Sequence, residues 1–443
     1  MTITCCNIYS ESILAIYHIF FDMDLIIGAG LAGLSVAHHT KEKYRILEKG
    51  QSVGGLCKSI SVENYIFDLG SHILFTNNDY VKKLYLTELK DNYNEQIRKA
   101  FIYLNDTYVK YPFEVNLYPL PDEIIRECID GVIKKANITP LNFLEWIKTT
   151  FGEGIAKYYM LPYNEKIWKY PLEKMNVEWI AGRVPSPSVN DMKRGAESEI
   201  SRSYGPNAMF GYPKFGGIGA LINKMANGKN IQLNSNVTEI KVSKKDILVT
   251  YSTEKENHSL HTQKVYSSIP LPEIVKLLDN PPKEVIEASN KLVYNGLVCV
   301  MIGVNRPNIT DKHWLYFPEK ELIFNRISFP MNYSQYTTPN KKSSILAEVT
   351  YRKNPIDLHE VEKRVLKDLI KIKILKEDDI IDVCKSLKFK YAYVIYDLNH
   401  NKNVNIIHRY LRKNNIIPIG RFGEWEYYNM DKTIISGKNA VIT

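Results

Sequence analysis

The chain has 443 residues, of which 44% are hydrophobic and 24% charged. The composition is that of a globular protein, and the length predicts two or three domains. The net charge of +9 comes from lysines and arginines that are scattered along the chain, and no nucleic-acid-binding motif accompanies them. This charge suits an anionic small-molecule substrate, and it equally suits a solvated lysine-rich surface. Six cysteines without a CxxC pair or metal-like spacing predict reduced thiols in a cytoplasmic protein without a metal site.

Residues 1–23 are interpreted as an N-terminal extension. Residues 13–21 are apolar, but they lack a basic leader and a cleavage site and are too short to span a bilayer. Met23 stands directly before the first predicted strand, so a start at Met23 is an alternative. Because no later segment is apolar enough to be transmembrane, we expect no stable membrane insertion.

A dinucleotide-binding pattern occupies residues 25–48, LIIGAGLAGLSVAHHTKEKYRILE. Gly28 is expected to make a tight turn, Gly30 to let the backbone approach a pyrophosphate, and Gly33 to let the helix pack closely on the strand. Free N–H groups at the start of the helix then face the anion. Glu48 is placed to accept hydrogen bonds from both ribose hydroxyls, which argues against a 2′-phosphorylated dinucleotide.

A second glycine pair, Gly54 and Gly55, follows in the segment KGQSVGGLCKS. The pair resembles the second glycine motif of flavoproteins related to glutathione reductase and the amine oxidases. In those proteins a loop with two glycines follows the ribose-binding acid and FAD lies extended. The resemblance implies that FAD, and not NAD, is the resident cofactor.

Strand-like runs recur at residues 25–28, 230–252 and 416–420. If these runs join one sheet, the FAD domain is assembled from distant parts of the chain. Helical periodicity over residues 119–200 predicts a helical insertion. Short β-rich segments over residues 297–351 predict an antiparallel sheet that forms the wall of a substrate site.

An amphipathic helix is predicted over residues 361–375. The predicted fold class is α/β, with a Rossmann-like FAD-binding domain, a helical insertion and an antiparallel-sheet substrate domain. The predicted boundaries are 1–23 for the extension, 24–110, 205–270 and 390–443 for the discontinuous FAD-binding domain, 111–204 for the helical insertion and 271–389 for the substrate domain.

Five separated motifs, in the family's order, resemble the UDP-galactopyranose mutases, particularly those of the eukaryotic type. They are PYNEKIWKYPLEKMNVEWIAGRVPSPS (162–188), YGPNAMFGYPKFGGIGAL (204–221), WLYFPEKELIFNR (314–326), YAY (391–393) and GRFGEWEYYNMD (420–431). A broader set of flavoproteins similar to protoporphyrinogen oxidase or the amine oxidases shares several of these motifs. The family is therefore better supported than the substrate.

The resemblance implies a set of residues for a nucleotide-sugar substrate. They are Asn164 and Trp168 for the nucleotide part, Tyr111 near the uracil, Arg183 and Arg326 around the diphosphate, Tyr316, Tyr393 and Tyr427 as hydroxyl donors, and Asn207 facing the sugar. Without the motifs, Trp168 would be read as a core aromatic and the two arginines as members of surface ion pairs.

The resemblance also places residues at the flavin. These are Gly70, Ser71 and His72 in one loop, together with Val237, Arg421, Asn429 and Asp431. With Arg183 and Arg326, His72 is a candidate catalytic residue, because a loop histidine against the ring can shape the redox state of the flavin.

Three features depart from the family. Glu114 stands where the family often has an amide, so the nucleotide base could differ from uracil. Ser71 replaces a glycine that usually precedes the loop histidine. Little chain remains after Asp431 for the C-terminal helix whose dipole normally supports the flavin.

The activity implied is the interconversion of UDP-galactopyranose and UDP-galactofuranose, in which N5 of reduced FAD attacks the anomeric carbon and UDP leaves. An external reductant such as NAD(P)H would prime the flavin. The alternatives are an FAD-dependent oxidase acting on an amine or a porphyrinogen, a mutase for another nucleotide sugar, and a protein that binds a nucleotide sugar without turnover. Homo-oligomerisation is left open.

Overall fold

The computed structural model of the chain describes residues 23–180, 188–199, 208–352 and 356–442. These residues form two compact units, each assembled from distant parts of the chain. The first unit contains the described parts of residues 1–57, 222–292 and 401–443, and the second contains those of residues 58–221 and 293–400. The predicted α/β class with a parallel sheet and a separate antiparallel sheet is confirmed.

The strands, in chain order, are β1 Asp24–Ile27, β2 Tyr44–Leu47, β3 Ser59–Val62, β4 Tyr65–Asp68, β5 Tyr93–Ile97, β6 Ala100–Leu104, β7 Thr107–Lys110, β8 Met209–Pro213, β9 Ile231–Gln232, β10 Asn236–Val242, β11 Ile247–Ser252, β12 Asn257–Thr262, β13 Val265–Ser267, β14 Val293–Val304, β15 Trp314–Tyr316, β16 Arg326–Ser328, β17 Ser343–Tyr351, β18 Ile381–Ile395 and β19 Ile416–Pro418.

The helices, in chain order, are α1 Leu31–His39, α2 Asp79–Leu89, α3 Asp122–Lys134, α4 Phe143–Ile155, α5 Leu161–Trp168, α6 Val189–Glu197, α7 Gly219–Ala226, α8 Leu271–Leu277, α9 Lys283–Asn290, α10 Pro330–Tyr333, α11 Leu358–Lys371, α12 His400–Lys413, α13 Gly420–Gly423 and α14 Met430–Ala440.

The first unit is built on a five-stranded parallel sheet with the order β19-β13-β1-β2-β9. In the central strand β1, Leu25, Ile26 and Ile27 are buried, as expected of a parallel strand that is covered on both faces. The helix α1 connects β1 to β2. The predicted strand–helix–strand unit is therefore present, and its first turn lies at the carboxyl end of β1, where open α/β sheets bind ligands.

Residues 230–252 form strands, as predicted, but the strands divide between two sheets. The short strand β9 pairs with β2, whereas β10 and β11 form an antiparallel three-stranded sheet with β12. Along β11 the buried residues are Ile247, Val249 and Tyr251. This alternation predicts a strand but not its partner, because the same period of two fits any neighbouring strand.

The second unit contains a seven-stranded sheet with the order β18-β14-β17-β16-β15-β6-β7. The strands predicted within residues 297–351 are all present, and their pairings with one another are antiparallel. Helix α11 packs on this sheet through Val361, Val365 and Leu369, which are spaced to lie on one helix face. This helix, predicted over residues 361–375, begins at Leu358 and ends at Lys371.

The predicted helical insertion is present between β7 and β8. It contains α3, α4, α5 and α6, and a π-helical turn, Ala156–Met160, joins α4 to α5. The buried positions Cys128 and Val132 in α3 and Ile147 and Phe151 in α4 are among those that gave the helical period in the sequence. The domain boundaries given above stay predictions.

A buried histidine, His313, precedes β15. Its Nδ1 accepts a hydrogen bond from the backbone N–H of Lys99 at 3.0 Å, and its Nε2 lies 3.2 Å from Oε1 of Gln96. A ring that accepts at one nitrogen and donates at the other is neutral. Burial is the main cause that lowers the pKa of His313 to about 4.

Candidate functional site

The glycine turn of the first unit has the backbone geometry of a phosphate-binding loop. Gly28 has a φ of +96°, in the region that favours glycine. A Cβ at Gly33 would lie 2.0 Å from the carbonyl oxygen of Gly28, so only glycine permits this contact between helix and turn. Gly30 caps α1 without a side-chain hydrogen bond, and the first turn of α1 has no acidic residue. The N–H groups at this helix end can therefore bind an anion.

Glu48 ties the second strand to both glycine loops. Its Oε2 accepts a hydrogen bond from the N–H of Ala29 and its Oε1 one from the N–H of Gly50, both at 2.8 Å. The N–H of Gly54 donates to the carbonyl of Ala29 at 2.8 Å, and Gly54 forms a bridge with Gly30. A carboxylate has lone pairs beyond these two bonds, so the ribose role predicted for Glu48 fits its position.

The C-terminal residues predicted at the flavin belong to the same unit as the glycine turn. Helix α14 begins after Asn429, and Oγ of Ser35 in α1 donates to the carbonyl of Ile434 in α14 at 2.6 Å. The remaining chain is long enough for this helix of 11 residues. Asp431 lies in its first turn. The C-terminal helix is therefore present, and the support of the flavin by its dipole stays a prediction.

Arg421 and Tyr427 also come together in the first unit. The Arg421 guanidinium lies 4.6 Å from the centre of the Tyr427 ring, and its Nη1 donates to the carbonyl of Tyr428 at 2.8 Å. Val237 is buried in β10, where it is paired with Tyr251. The cofactor roles of Arg421 and Val237 stay predictions.

In the second unit, Arg326 on β16 and Glu348 on β17 are direct cross-strand partners. Arg326 Nη2 lies 2.8 and 2.7 Å from the two carboxylate oxygens, and Nε lies 3.1 Å from Oε2. The Glu348 side chain is fully buried, whereas 22% of the Arg326 side chain is exposed. Burial alone would lower the pKa of Arg326, but Glu348, Tyr393 and Tyr316 raise this pKa well above its usual range.

The guanidinium therefore stays charged, with Nε and Nη2 directed at Glu348. A phosphate would have to bind at Nη1. Sequence reasoning missed Glu348, although it is the only charged residue in the apolar strand SSILAEVTY. A charge in a fully buried strand needs a partner, and this was the signal that could have identified it.

Glu348 also holds the loop that the resemblance places at the flavin. The backbone N–H of Ser71 donates to Oε1 of Glu348 at 2.8 Å, and Oγ of Ser71 lies 2.9 Å from the hydroxyl of Tyr333. Nδ1 of His72 lies 3.1 Å from the carbonyl of Gly70, which has a φ of +99°. The serine that departs from the family thus anchors the loop through its backbone and its side chain.

Tyrosine rings and an arginine form a continuous surface in the second unit. The ring centres of Tyr111 and Tyr316 are 5.4 Å apart, and those of Tyr163 and Tyr316 are 5.5 Å apart. The Arg98 guanidinium lies 4.6 Å from the centre of the Tyr111 ring, within the range of a cation–π contact. Tyr111 and Tyr316 were predicted, whereas Arg98 stands in no recognisable motif.

Asn164 and Trp168 lie together on α5, with only 8% and 3% of each residue exposed. The indole N–H of Trp168 donates to Oδ1 of Asn164 at 2.9 Å, and Nδ2 of Asn164 donates to the carbonyl of Met160 at 2.7 Å. The Trp168 ring packs edge-on against Tyr393, with 5.9 Å between ring centres. Their polar groups therefore have partners within the protein, and their nucleotide role stays a prediction.

Glu114 lies in the 3-10 turn Phe113–Val115 and is only 3% exposed. Among the described residues, its Oε2 has no hydrogen-bond partner. Burial raises the pKa of Glu114 to about 7, against the opposing effects of its own backbone N–H and of Arg98. Burial without a hydrogen bond to Oε2 favours the neutral form of this carboxyl group.

Arg183 and Asn207, like residues 1–22 of the predicted extension, lie outside the described residues, so their assignments stay predictions. Within the part of the chain that the structure describes, no cluster of three His, Cys, Asp or Glu side chains could hold a metal ion. None of the helices described between residues 23 and 442 combines the length and apolar character that crossing a membrane requires.

Most of the chain is similar to a solved structure. It aligns with a reduced UDP-galactopyranose mutase over 95% of this chain and 93% of that one, at 26% sequence identity and a TM-score of 0.88. This finding agrees with the resemblance that the five sequence motifs carry.

Two other solved structures have the same fold at lower identity. One is assigned as a protoporphyrinogen oxidase from Exiguobacterium sp. 255-15, with 15% identity, a TM-score of 0.73 and coverage of 95% of this chain and 98% of that one. The other is a putrescine oxidase bound to putrescine, with 13% identity, a TM-score of 0.62 and the same coverage. The family described as flavin containing amine oxidoreductase matches residues 31–400, and the chain belongs to this family.

Proposed function

We propose that the protein is a flavin-dependent isomerase that interconverts UDP-galactopyranose and UDP-galactofuranose. The observation that carries the proposal is a phenol-rich surface in the second unit that carries two guanidinium groups. Arg98 contacts Tyr111, Tyr111 contacts Tyr316, and Tyr316 is the cross-strand partner of Arg326. A diphosphate is bound by guanidinium groups and hydroxyl donors. An oxidase for an apolar molecule would instead need an apolar tunnel. The 26% identity to a UDP-galactopyranose mutase supports the same choice.

FAD is the cofactor that the residues of the first unit fit. The turn at Gly28, which has a positive φ, and the contact between Gly33 and this turn leave the start of α1 open to a pyrophosphate. Glu48 would bind the adenosine ribose, and Arg421, Asn429 and Asp431 would border the flavin. When bound and reduced, FAD supplies the nucleophile, N5, for the anomeric carbon of the sugar. NAD(P)H is the proposed external reductant.

The main task of Arg326 is to stabilise the diphosphate as it leaves the anomeric carbon. Negative charge develops on the leaving group, and a fixed guanidinium lowers the energy of that state. Glu348 holds the Arg326 plane with bonds of 2.7–3.1 Å, so little reorganisation is needed. Tyr316 and Tyr393, which act on the Arg326 charge, would donate hydroxyl hydrogen bonds to the same group.

Further residues complete the proposal. Arg183 would be the second diphosphate clamp, Tyr427 another hydroxyl donor, and Asn207 a contact to the sugar. His72 would lie against the flavin and shape its redox state. The anchored Ser71 would hold His72 in place, since Ser71 is bound to both Glu348 and Tyr333.

The test is conversion of UDP-galactofuranose to UDP-galactopyranose by the purified flavoprotein after dithionite reduction, followed by chromatography of the nucleotide sugars. We expect turnover by the reduced protein and none by the oxidised protein. An Arg326→Lys variant should lose most of the turnover, because lysine cannot occupy the fork geometry with Glu348. Absence of turnover by the reduced wild-type protein, with its flavin bound, would contradict the proposal.

The Arg326–Glu348 pair also favours a second candidate. Because Glu348 offsets the charge of Arg326, this part of the surface would also tolerate an uncharged or cationic substrate, as an amine or porphyrinogen oxidase requires. Oxygen consumption with such donors, without isomerisation, would select the oxidase. A mutase for another nucleotide sugar would give turnover only when the base or sugar is changed.

A further inference from the structure

Lys166 on α5 is a buried lysine that the proposed chemistry does not use. Only 7% of the residue is exposed. Its Nζ donates hydrogen bonds to the backbone carbonyls of Phe317 at 3.1 Å and Glu319 at 2.7 Å, and burial lowers the pKa of Lys166 to about 7. Burying a charged group costs stability, even when it is hydrogen-bonded. A lysine at this position therefore indicates a role that depends on its hydrogen bonds.

Lys166 connects α5 to the two strands that flank β16, the strand of Arg326. The two carbonyls that its Nζ binds lie just after the end of β15. Its own backbone carbonyl accepts a hydrogen bond from Oγ1 of Thr350 on β17 at 2.7 Å. Because β16 lies between β17 and β15 in the sheet, the contacts of Lys166 span the strand that carries Arg326.

These contacts are adjacent to the residues that would bind the diphosphate. Tyr316, the cross-strand partner of Arg326 on β15, directly precedes Phe317. Thr350 lies two residues after Glu348, the partner of Arg326 on β17, and residues two apart on a strand share a face. Both links from α5 are therefore within two residues of a cross-strand partner of Arg326.

The loop that joins β15 to β16, residues 317–325, is also held by α11. Asp368 in this helix is only 1% exposed, and its Oδ2 accepts a hydrogen bond from the N–H of Ile323 at 2.7 Å. Nε of Arg364 donates to the other oxygen of Asp368 at 2.9 Å. Asp368 therefore fixes the end of the loop near β16, and Lys166 fixes the end near β15.

We propose that Lys166 is a positioning residue for Arg326, and that it acts through Arg326 on the departure of the diphosphate. Without its ammonium group the start of the loop loses two hydrogen bonds, and β15 and β16 can shift relative to α5. A misplacement of about 1 Å in an active site can lower a rate about 100-fold. The inference rests on the proposed isomerase function and names a further residue of the same site.

The experiment measures kcat and KM for UDP-galactofuranose with the dithionite-reduced holoprotein. Lys166→Met keeps a long apolar side chain but removes the donors, so we expect kcat to fall about 10- to 100-fold. KM should stay near the wild-type value, because the lost effect belongs to the departing diphosphate. Thr350→Val, which removes the link to β17, should lower kcat in the same way but by less. Lys367→Met, at an exposed position on α11, is the control and should match the wild-type protein.

A double-mutant cycle separates positioning of Arg326 from a general structural role. If Lys166 acts through Arg326, adding Lys166→Met to Arg326→Lys should not lower kcat further, because the guanidinium that Lys166 positions is already lost. The flavin spectrum and Tm of each variant report whether it is folded. If the two changes multiply their effects on kcat in folded variants, the inference is overturned.

The outcomes also separate this inference from the function on which it rests. A folded Lys166→Met protein with the wild-type kcat would overturn the inference and leave the isomerase function in place. If Lys166→Met does not fold, Thr350→Val decides, and a wild-type kcat in that variant would overturn the inference. Absence of turnover by the reduced wild-type holoprotein would refute the proposed function and the inference with it.

Discussion

Replacing Glu348 by glutamine is expected to lower the free energy of unfolding by about 3 kcal/mol. The Glu348 side chain is fully buried, its oxygens lie 2.7–3.1 Å from Arg326, and Oε1 accepts the Ser71 N–H. Breaking such a pair costs about 3–5 kcal/mol, because an uncompensated buried charge remains. Since 22% of the Arg326 side chain is exposed, water screens part of this charge and the lower value applies.

Urea denaturation followed by circular dichroism would measure the change, with Glu377→Gln as the control at an exposed position after α11. The control should lie within about 0.5 kcal/mol of the wild-type protein. Saturating UDP-galactose should stabilise Glu348→Gln more than the wild-type protein, because the diphosphate replaces the lost negative charge. If Glu348→Gln were as stable as the control, the ion pair would make no net contribution and the reasoning would be wrong.

Three more outcomes are expected. Gly33→Ala should lose bound FAD, measured as the ratio of absorbance at 450 and 280 nm, because its Cβ would lie 2.0 Å from the Gly28 carbonyl oxygen; full flavin content would contradict this. The folded-state pKa of His313 is lowered to about 4, so its contribution to stability is complete above pH 6.5 and falls as the pH drops toward 4. His313→Gln should therefore reduce the slope of the unfolding free energy against pH between pH 4 and pH 6.5. An unchanged slope would count against this reasoning. A double-mutant cycle with Ser71→Ala and Tyr333→Phe should give a coupling of about 1 kcal/mol for their 2.9 Å contact, whereas simple additivity would mean that the two hydroxyls do not interact.

The parts of the fold that could be predicted from the sequence are those with a local turn signal or hydrophobic period. The glycine turn, α1 and β2 follow one another within residues 24–47, and each has its own period or turn signal. The helices of the insertion and the strands within residues 297–351 also follow from hydrophobic period. In each case the residues that determine the element are close neighbours along the chain.

Pairings between distant segments could not be predicted in the same way. The division of residues 230–252 between two sheets depends on which strands lie alongside them. Arg326 was identified from its motif, but its partner Glu348 lies on the next strand of the sheet, and only the register places the two side chains opposite each other. No sequence motif identified Arg98, because its place in the site depends on its contact with Tyr111 in the folded protein.

Arg326 and Arg98 of the second unit differ in the carboxyl group that balances their charge. Arg326 is held by the buried carboxylate of Glu348, so this pair has a fixed geometry and little net charge. Arg98 interacts electrostatically with Glu114, a carboxyl whose pKa burial raises to about 7. When Glu114 is protonated, it no longer offsets the charge of Arg98.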